Sequence, residues 1–143
     1  MRKSLLGLVL VAASAPGASI ATSAKTAAPN SANTAIVRTA QTISGQPLRL
    51  PQGSAEMVAT AVEIPPNGTT TIHQHLWSRF VYVERGPLRV VHLDTGQKHE
   101  FQTGQVFAEG VGQWHQGSAP GPHGARLVVI DLVPPGVTNM KMR

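Results

Sequence analysis

From about Leu48 to Pro134 the chain is a succession of short, β-branched segments cut by turn signals, with no stretch that repeats apolar residues at helical spacing. Met57 to Ile64 ends at Pro65-Pro66-Asn67-Gly68, a strong turn signal. Thr69 to His75 is β-branched almost throughout, and Phe80-Val81-Tyr82-Val83 closes at Gly86-Pro87. Leu88 to Leu93 and Lys98 to Gln102 flank Asp94-Thr95-Gly96, a hairpin turn. Val106-Phe107 and Trp114 to Ser118 follow. Ala125 to Val133 is nearly all apolar and reads as a strand buried on both faces. These are about eight strands at the spacing of an all-β sandwich or barrel. Closure would remove exposed edges and leave a narrow interior, wide enough for one small ligand or metal.

The 143 residues do not all read as one folded unit. Arg2 and Lys3 precede the apolar run Leu5 to Ala13, which is too short to span a bilayer. Residues 1–24 therefore read as a signal peptide, cut after Ser19-Ile20-Ala21 or Thr22-Ser23-Ala24. An uncleaved anchor is disfavoured because Pro16 and Gly17 break the run. Residues 25–45, rich in Ala, Ser, Thr and Asn, read as a flexible linker, and 46–143 as the β-barrel domain. The mature chain is expected to be periplasmic or secreted, with no stable membrane association after cleavage. There is no cysteine, so neither a lipid anchor nor a disulfide framework is available. The formal charge of +5 falls to +3 without Arg2 and Lys3. The basic residues are scattered and the aromatics few, which argues against nucleic acid as a partner.

The chemistry is carried by histidines. His73 and His75 lie one residue apart on a strand and project from one face, because side chains alternate with period two. His115, about forty residues on in a glycine-rich turn, would complete a facial set of imidazoles. Such a set is a metal site or an acid–base pocket. No nucleophile–base pair offers an alternative, since no serine or threonine sits in a recognisable elbow motif.

The segment Gly68 to Gly86, containing His73-Gln74-His75, resembles the first motif of the cupin superfamily: a glycine turn, H-x-H, then an apolar strand ending in Gly. Gly104 to His115 is similar to the second, with a glycine, a tight turn and a histidine shortly after it. The resemblance implies a single-domain jelly-roll β-barrel, often homodimeric through an edge strand. It implies a divalent metal such as iron, manganese, zinc or nickel, with His73, His75 and His115 as three of the usual four ligands. Family members include dioxygenases, isomerases, decarboxylases, lyases and non-enzymatic binders.

This chain departs from the motif in one consequential place. Arg79 stands where the family's glutamate ligand belongs; Gly110 and Ala119 replace the second motif's proline and asparagine. A guanidinium about 6 Å from a divalent ion is repelled by roughly 5 kcal/mol at an effective dielectric near 20. Three outcomes stay open. Arg79 turns outward or pairs with Glu84 or Glu109, leaving a three-histidine site. It binds an anionic substrate beside the metal. Or the site holds no metal and works as an anion pocket.

Arg79, Trp77 and Trp114 are the candidate substrate-binding residues, the two tryptophans as packing or pocket rim. Tyr82 is expected to pack outside the barrel. His92 could look inward but has no role in the motif and is expected to be structural. His99 and His123 are expected at the surface, as is Glu109. Two functions compete at this point. One is an exported cupin that binds a divalent metal through three histidines and acts on a small organic, anionic molecule, as a dioxygenase-like or related metalloenzyme. The other is a non-catalytic binding or sensing module with weak or no metal.

Overall fold

The computed structural model describes residues 32–143, and Thr34–Arg143 forms one compact unit. The segment read as a signal peptide and the first part of the segment read as a linker lie outside the described residues. Nine strands and no helix are present among the described residues: β1 (Glu56–Ile64), β2 (His73–His75), β3 (Arg79–Arg85), β4 (Leu88–His92), β5 (Lys98–Phe101), β6 (Val106–Glu109), β7 (His115–Ser118), β8 (Ala125–Val133) and β9 (Met140–Met142). They form two sheets, β1-β8-β3-β6 and β5-β4-β7-β2-β9, in which every strand pair is antiparallel. This is a jelly-roll arrangement of a small β-barrel.

The core follows from strand alternation. Ala125, Leu127, Val129, Asp131 and Val133 of β8 point inward, while the residues between them are only half-buried. The run read as buried on both faces is thus covered fully on one only, because β8 lies between β1 and β3 in an outer layer of the barrel. Ile64, Val81, Val83, Leu88, Val90, Phe107 and Ala119 join Leu127 and Val129 in one cluster. Each fully buried Val or Leu here contributes roughly 1.5–3 kcal/mol. Phe101 and Phe107 stack at 3.7 Å between ring centroids and link β5 to β6 across the two sheets.

Two elements differ from the reading of the sequence. The β-branched segment Thr69–His75 forms a regular strand only over His73–His75. Thr70 still pairs with Gly117 of β7, but its side-chain oxygen accepts from Gly117 N–H (3.0 Å) while its own N–H donates to the Gly117 carbonyl (2.9 Å). A side chain has replaced one rung of the ladder. Strand β9, by contrast, has no β-branched residue to announce it, and forms only because β2 offers an edge.

Residues 41–46, which span the end of the segment read as linker and the start of the domain, lie against the barrel. Ile43 N–H donates to the Ala108 carbonyl, and Gln46 makes two bonds to the backbone of Val111. The turn Gly110–Gln113 is bonded on its other side to β2, through Gly112 N–H to the His75 carbonyl (2.9 Å). Gly110 has a physical reason here. A Cβ on it would come within 2.6 Å of Gln46 Oε1 and would also strike Gln113.

Gly124 and Gly96 both hold positive φ, +65° and +70°. A Cβ at Gly124 would meet the Ile64 carbonyl at 2.6 Å, whereas at Gly96 it meets open space. Gly96→Ala is expected to cost about 1 kcal/mol, from backbone strain alone, and Gly124→Ala at least about twice that. Urea unfolding of the two variants measures the difference; equal losses would contradict it.

Candidate metal centre

Antiparallel pairing brings the histidines together. His73 on β2 is the direct partner of His115 on β7, and His75 lies two residues along the same face. All three are buried, His75 and His115 almost completely. Their ring centroids are 4.5–5.0 Å apart. Backbone carbonyls orient two of the rings. His73 Nδ1–H donates to Thr71 O at 2.7 Å, and His115 Nδ1–H to Gln113 O at 2.8 Å. Each bond leaves Nε2 to face the other imidazoles, the usual way a second partner fixes a ligand's tautomer.

A fourth group completes the set. Glu109, the last residue of β6, is buried, with Oε2 3.0 Å from His75 Nε2 and Oε1 3.5 Å from His115 Nε2. One ligand atom from each of His73, His75, Glu109 and His115 falls within 4.8 Å of the others. This corrects the expectation of a surface glutamate. The carboxylate missing from the first motif is supplied from the second. No local signal marks Glu109, but it lies at the β6 position directly opposite Arg79 on β3, so register alone puts the two residues on one inward face.

Arg79 is also corrected. It pairs with neither Glu84 nor Glu109. Its Nε and NH2 donate to the two carboxylate oxygens of Asp131 at 2.9 and 2.7 Å, a bidentate contact with both side chains largely buried. Asp131 is the partner of Arg79 on the other flank, across β8. Asn139 Nδ2–H also donates to Asp131 (2.6 Å), and Asn139 Oδ1 accepts from the backbone N–H groups of Leu76 and Trp77. The arginine thus takes one of its two cross-strand carboxylates and leaves the other for the histidines. Its Nε–NH2 edge is occupied by Asp131, while NH1 is not engaged by that contact and Arg79 still lines the cavity.

The electrostatics follow from burial and pairing. Burial pulls His73 down to about 4, outweighing the hydrogen bond to Thr71. Burial also lowers His75, against the pull of Glu109. At His115 burial acts the same way, but the Glu109 carboxylate outweighs it and raises the imidazole above its ordinary value. Burial would raise Glu109; its hydrogen bonds to His115 and His75 win and hold it well below the usual carboxylate range. Asp131 is lowered despite burial, by Arg79 and Asn139. His92 is lowered by burial first and by His115 and His99 after it.

The donor chemistry fits a metal ion. The Nε2 atoms of His75 and His115 are 3.2 Å apart, with a carboxylate beside them. Two imidazole nitrogens at that distance need a proton or a cation between them. Three imidazoles and one carboxylate suit zinc, iron, nickel or manganese.

The centre lies on the wall of a cavity of about 410 Å³ between the two sheets. His73, His115, Glu109, Arg79 and Asp131 line its polar side. Val62, Val81, Val90, Leu127 and Val129 line much of the rest together with Thr60, Thr70 and Thr138, and Val58, Met140 and Met142 lie toward the exposed edges of β1 and β9. Trp77 and Trp114 are half-buried and do not line it. The Trp114 ring lies instead under the Arg143 guanidinium, 5.9 Å from its centroid. His123 is exposed and His92 buried, both as expected, whereas His99 is half-buried with its Nε2 shut off from solvent.

Comparison with known proteins agrees with this architecture. The cupin domain family matches residues 60–131, about half of the chain. Among solved structures, a cupin-like protein from Thermotoga maritima superposes with a TM-score of 0.52 at 16% identity, covering 66% of this chain and 85% of that one. An oxalate decarboxylase from Lactobacillus farciminis, in complex with formate, gives 0.51 at 22% identity, covering 60% of this chain and 26% of that one. The polyketide cyclase RemF from Streptomyces resistomycificus is 30% identical over 65% of this chain and 66% of its own, with a TM-score of 0.49. No curated protein sequence matches the chain. The two motifs, the jelly roll and the match to the family over half the chain lead to one assignment: this protein belongs to the cupin superfamily.

Proposed function

We propose that this cupin is a metalloenzyme that holds one divalent metal on His73, His75, Glu109 and His115 and acts on a small, mainly apolar organic molecule seated in the adjoining cavity. The observation that carries the reading is the convergence of three imidazoles and a buried carboxylate within 4.8 Å at the wall of that cavity. Bound there, a metal supplies Lewis acidity and a site for water or substrate oxygen.

The chain's own residues set the conditions. Glu109 offsets part of the ion's charge. Asp131 neutralises Arg79, which would otherwise repel the ion. Thr71 and Gln113 hold two ligand rings in place through their carbonyls. The valines and leucines of β1, β3, β4 and β8 exclude water from most of the cavity and select an apolar substrate. The anionic ligand that Arg79 suggests from sequence is disfavoured, since Asp131 already neutralises the guanidinium and takes its Nε–NH2 edge. Similarity to an oxalate decarboxylase and a polyketide cyclase is compatible with enzymatic activity and does not name the reaction.

The reading extends to export and pairing of the chain. The charged and apolar leader of residues 1–24 supports export. The nine-residue edge strand β1, with Met57 67% exposed, supports a homodimer. Retention in the cytoplasm of a bacterial host with Met1 uncleaved, or a monomer by light scattering, would count against these two points.

Two outcomes test the central proposal. The purified chain is expected to retain one metal by elemental analysis, and His75→Ala to lose it; a metal-free wild type that cannot be loaded with Zn²⁺ would sink the reading. Val62→Phe, which intrudes on the cavity from the β1 edge, is expected to weaken binding of a small aromatic such as indole by at least tenfold while leaving metal content unchanged.

Metal affinity should also depend on pH in one direction. His115, raised by Glu109, keeps its proton further up the pH scale than an ordinary imidazole, and that proton must leave before metal binds. Below the raised value, Zn²⁺ affinity is expected to fall about tenfold per pH unit. Well above it, the proton no longer competes. His73, at about 4, and ionised Glu109 add no competition near neutrality. Calorimetry in buffers of different ionisation enthalpy counts the released proton; none released at about pH 6 would contradict the scheme.

A further inference from the structure

His99, His92, His115 and His73 form a row across four neighbouring strands, β5, β4, β7 and β2. Successive ring centroids are 5.5, 5.8 and 4.5 Å apart. The metal centre already described uses the second half of this row. The first half has no assigned role, yet it carries unmet bonding capacity. His92 is 2% exposed, and neither of its ring nitrogens has a hydrogen-bond partner among the described residues. His99 Nε2 is likewise buried without a partner. Buried polar atoms are almost always satisfied, so three open nitrogens on two facing imidazoles call for a partner.

We infer that His92 and His99 form a second metal site, which takes a late first-row transition-metal ion such as zinc or copper. Their centroids are 5.5 Å apart with the rings at 79°, edge toward face. That separation is close to the 4.5–5.0 Å found among the three imidazoles of the first centre. Rings with centroids this far apart can each turn one nitrogen toward a shared ion, at about 2.0–2.1 Å for zinc. Neutral imidazole is the ligand such ions prefer.

The backbone supports the placement. His92 is the direct cross-strand partner of His115, and His99 pairs with Val90, two residues from His92 on the same face. All these side chains therefore project to the inner side of one sheet. His92 N–H is held by the Gln97 carbonyl at 2.9 Å, which closes the β4–β5 hairpin and fixes the two rings relative to each other. β5 is the edge strand of its sheet, so His99 lies at the rim of the barrel wall. His115 does not belong to both sites, because its Nδ1 is bonded to Gln113 and its Nε2 faces Glu109.

The test is a Zn²⁺ titration of the untagged full chain with variants of each site. Wild type is expected to bind two equivalents. His92→Phe and His99→Ala should each abolish the weaker equivalent, or weaken it at least tenfold, and leave the stronger one. His75→Ala should do the reverse, so the second site remains visible even if the first centre fails. Anomalous diffraction from a zinc-soaked crystal should place a peak between rings 92 and 99. A single equivalent in wild type that vanishes with His75→Ala overturns the inference. Unchanged stoichiometry in both His92→Phe and His99→Ala overturns it as well. So does a rise in the melting temperature of His92→Phe with metal binding intact, since His92 would then be a buried residue that prefers an apolar replacement.

Discussion

The buried pair between Arg79 and Asp131 is the constraint on which the site depends. Arg79 lies on β3 with a carboxylate opposite it on each side, Glu109 on β6 and Asp131 on β8. Were it to pair with Glu109, the histidines would lose their only carboxylate and a guanidinium would lie beside them. The bidentate contact with Asp131, reinforced by Asn139, draws the cation away. Removing one partner of a buried pair costs about 3–5 kcal/mol because the other is left as an uncompensated charge. That cost keeps Arg79 where it is, and Glu109 free to act with the imidazoles.

A second constraint holds the loop that carries the site's other half. Residues 110–113 connect Glu109 to His115, and they are gripped from two sides. Gln46 and Ser44 bond them from the N-terminal segment, and the His75 carbonyl bonds them from β2. The glycine at position 110, where the family motif has proline, leaves room for that grip. A departure from the motif is thus matched by a contact that a proline ring would obstruct. Rigid placement matters because metal ligands must converge to within tenths of an ångström.

Much of the fold was legible from local signals. The turn residues after Ile64 and between β4 and β5 stand where chain direction reverses, since Asn, Gly and Pro are required there by backbone geometry. The span Ala125–Val133 is a strand with the bounds read from its apolar run. β9 was not legible, because Met140-Lys141-Met142 has no propensity of its own for a strand and depends on β2 for its hydrogen bonds. Glu109 and Asp131 were not legible as site residues either. Nothing around them in the sequence separates an inward carboxylate from one in water; only the register across β3 does.

The sequence by itself determined the strand pattern, the two cupin motifs and the histidines at 73, 75 and 115, because period-two alternation and turn chemistry are properties of a few adjacent residues. Tertiary structure alone decided the fourth candidate ligand, the partner of Arg79, the apolar character of the cavity and the facing of His92 and His99. Each of those depends on which residues of distant strands stand opposite one another, and pairing register is a property of the folded sheet rather than of any one segment.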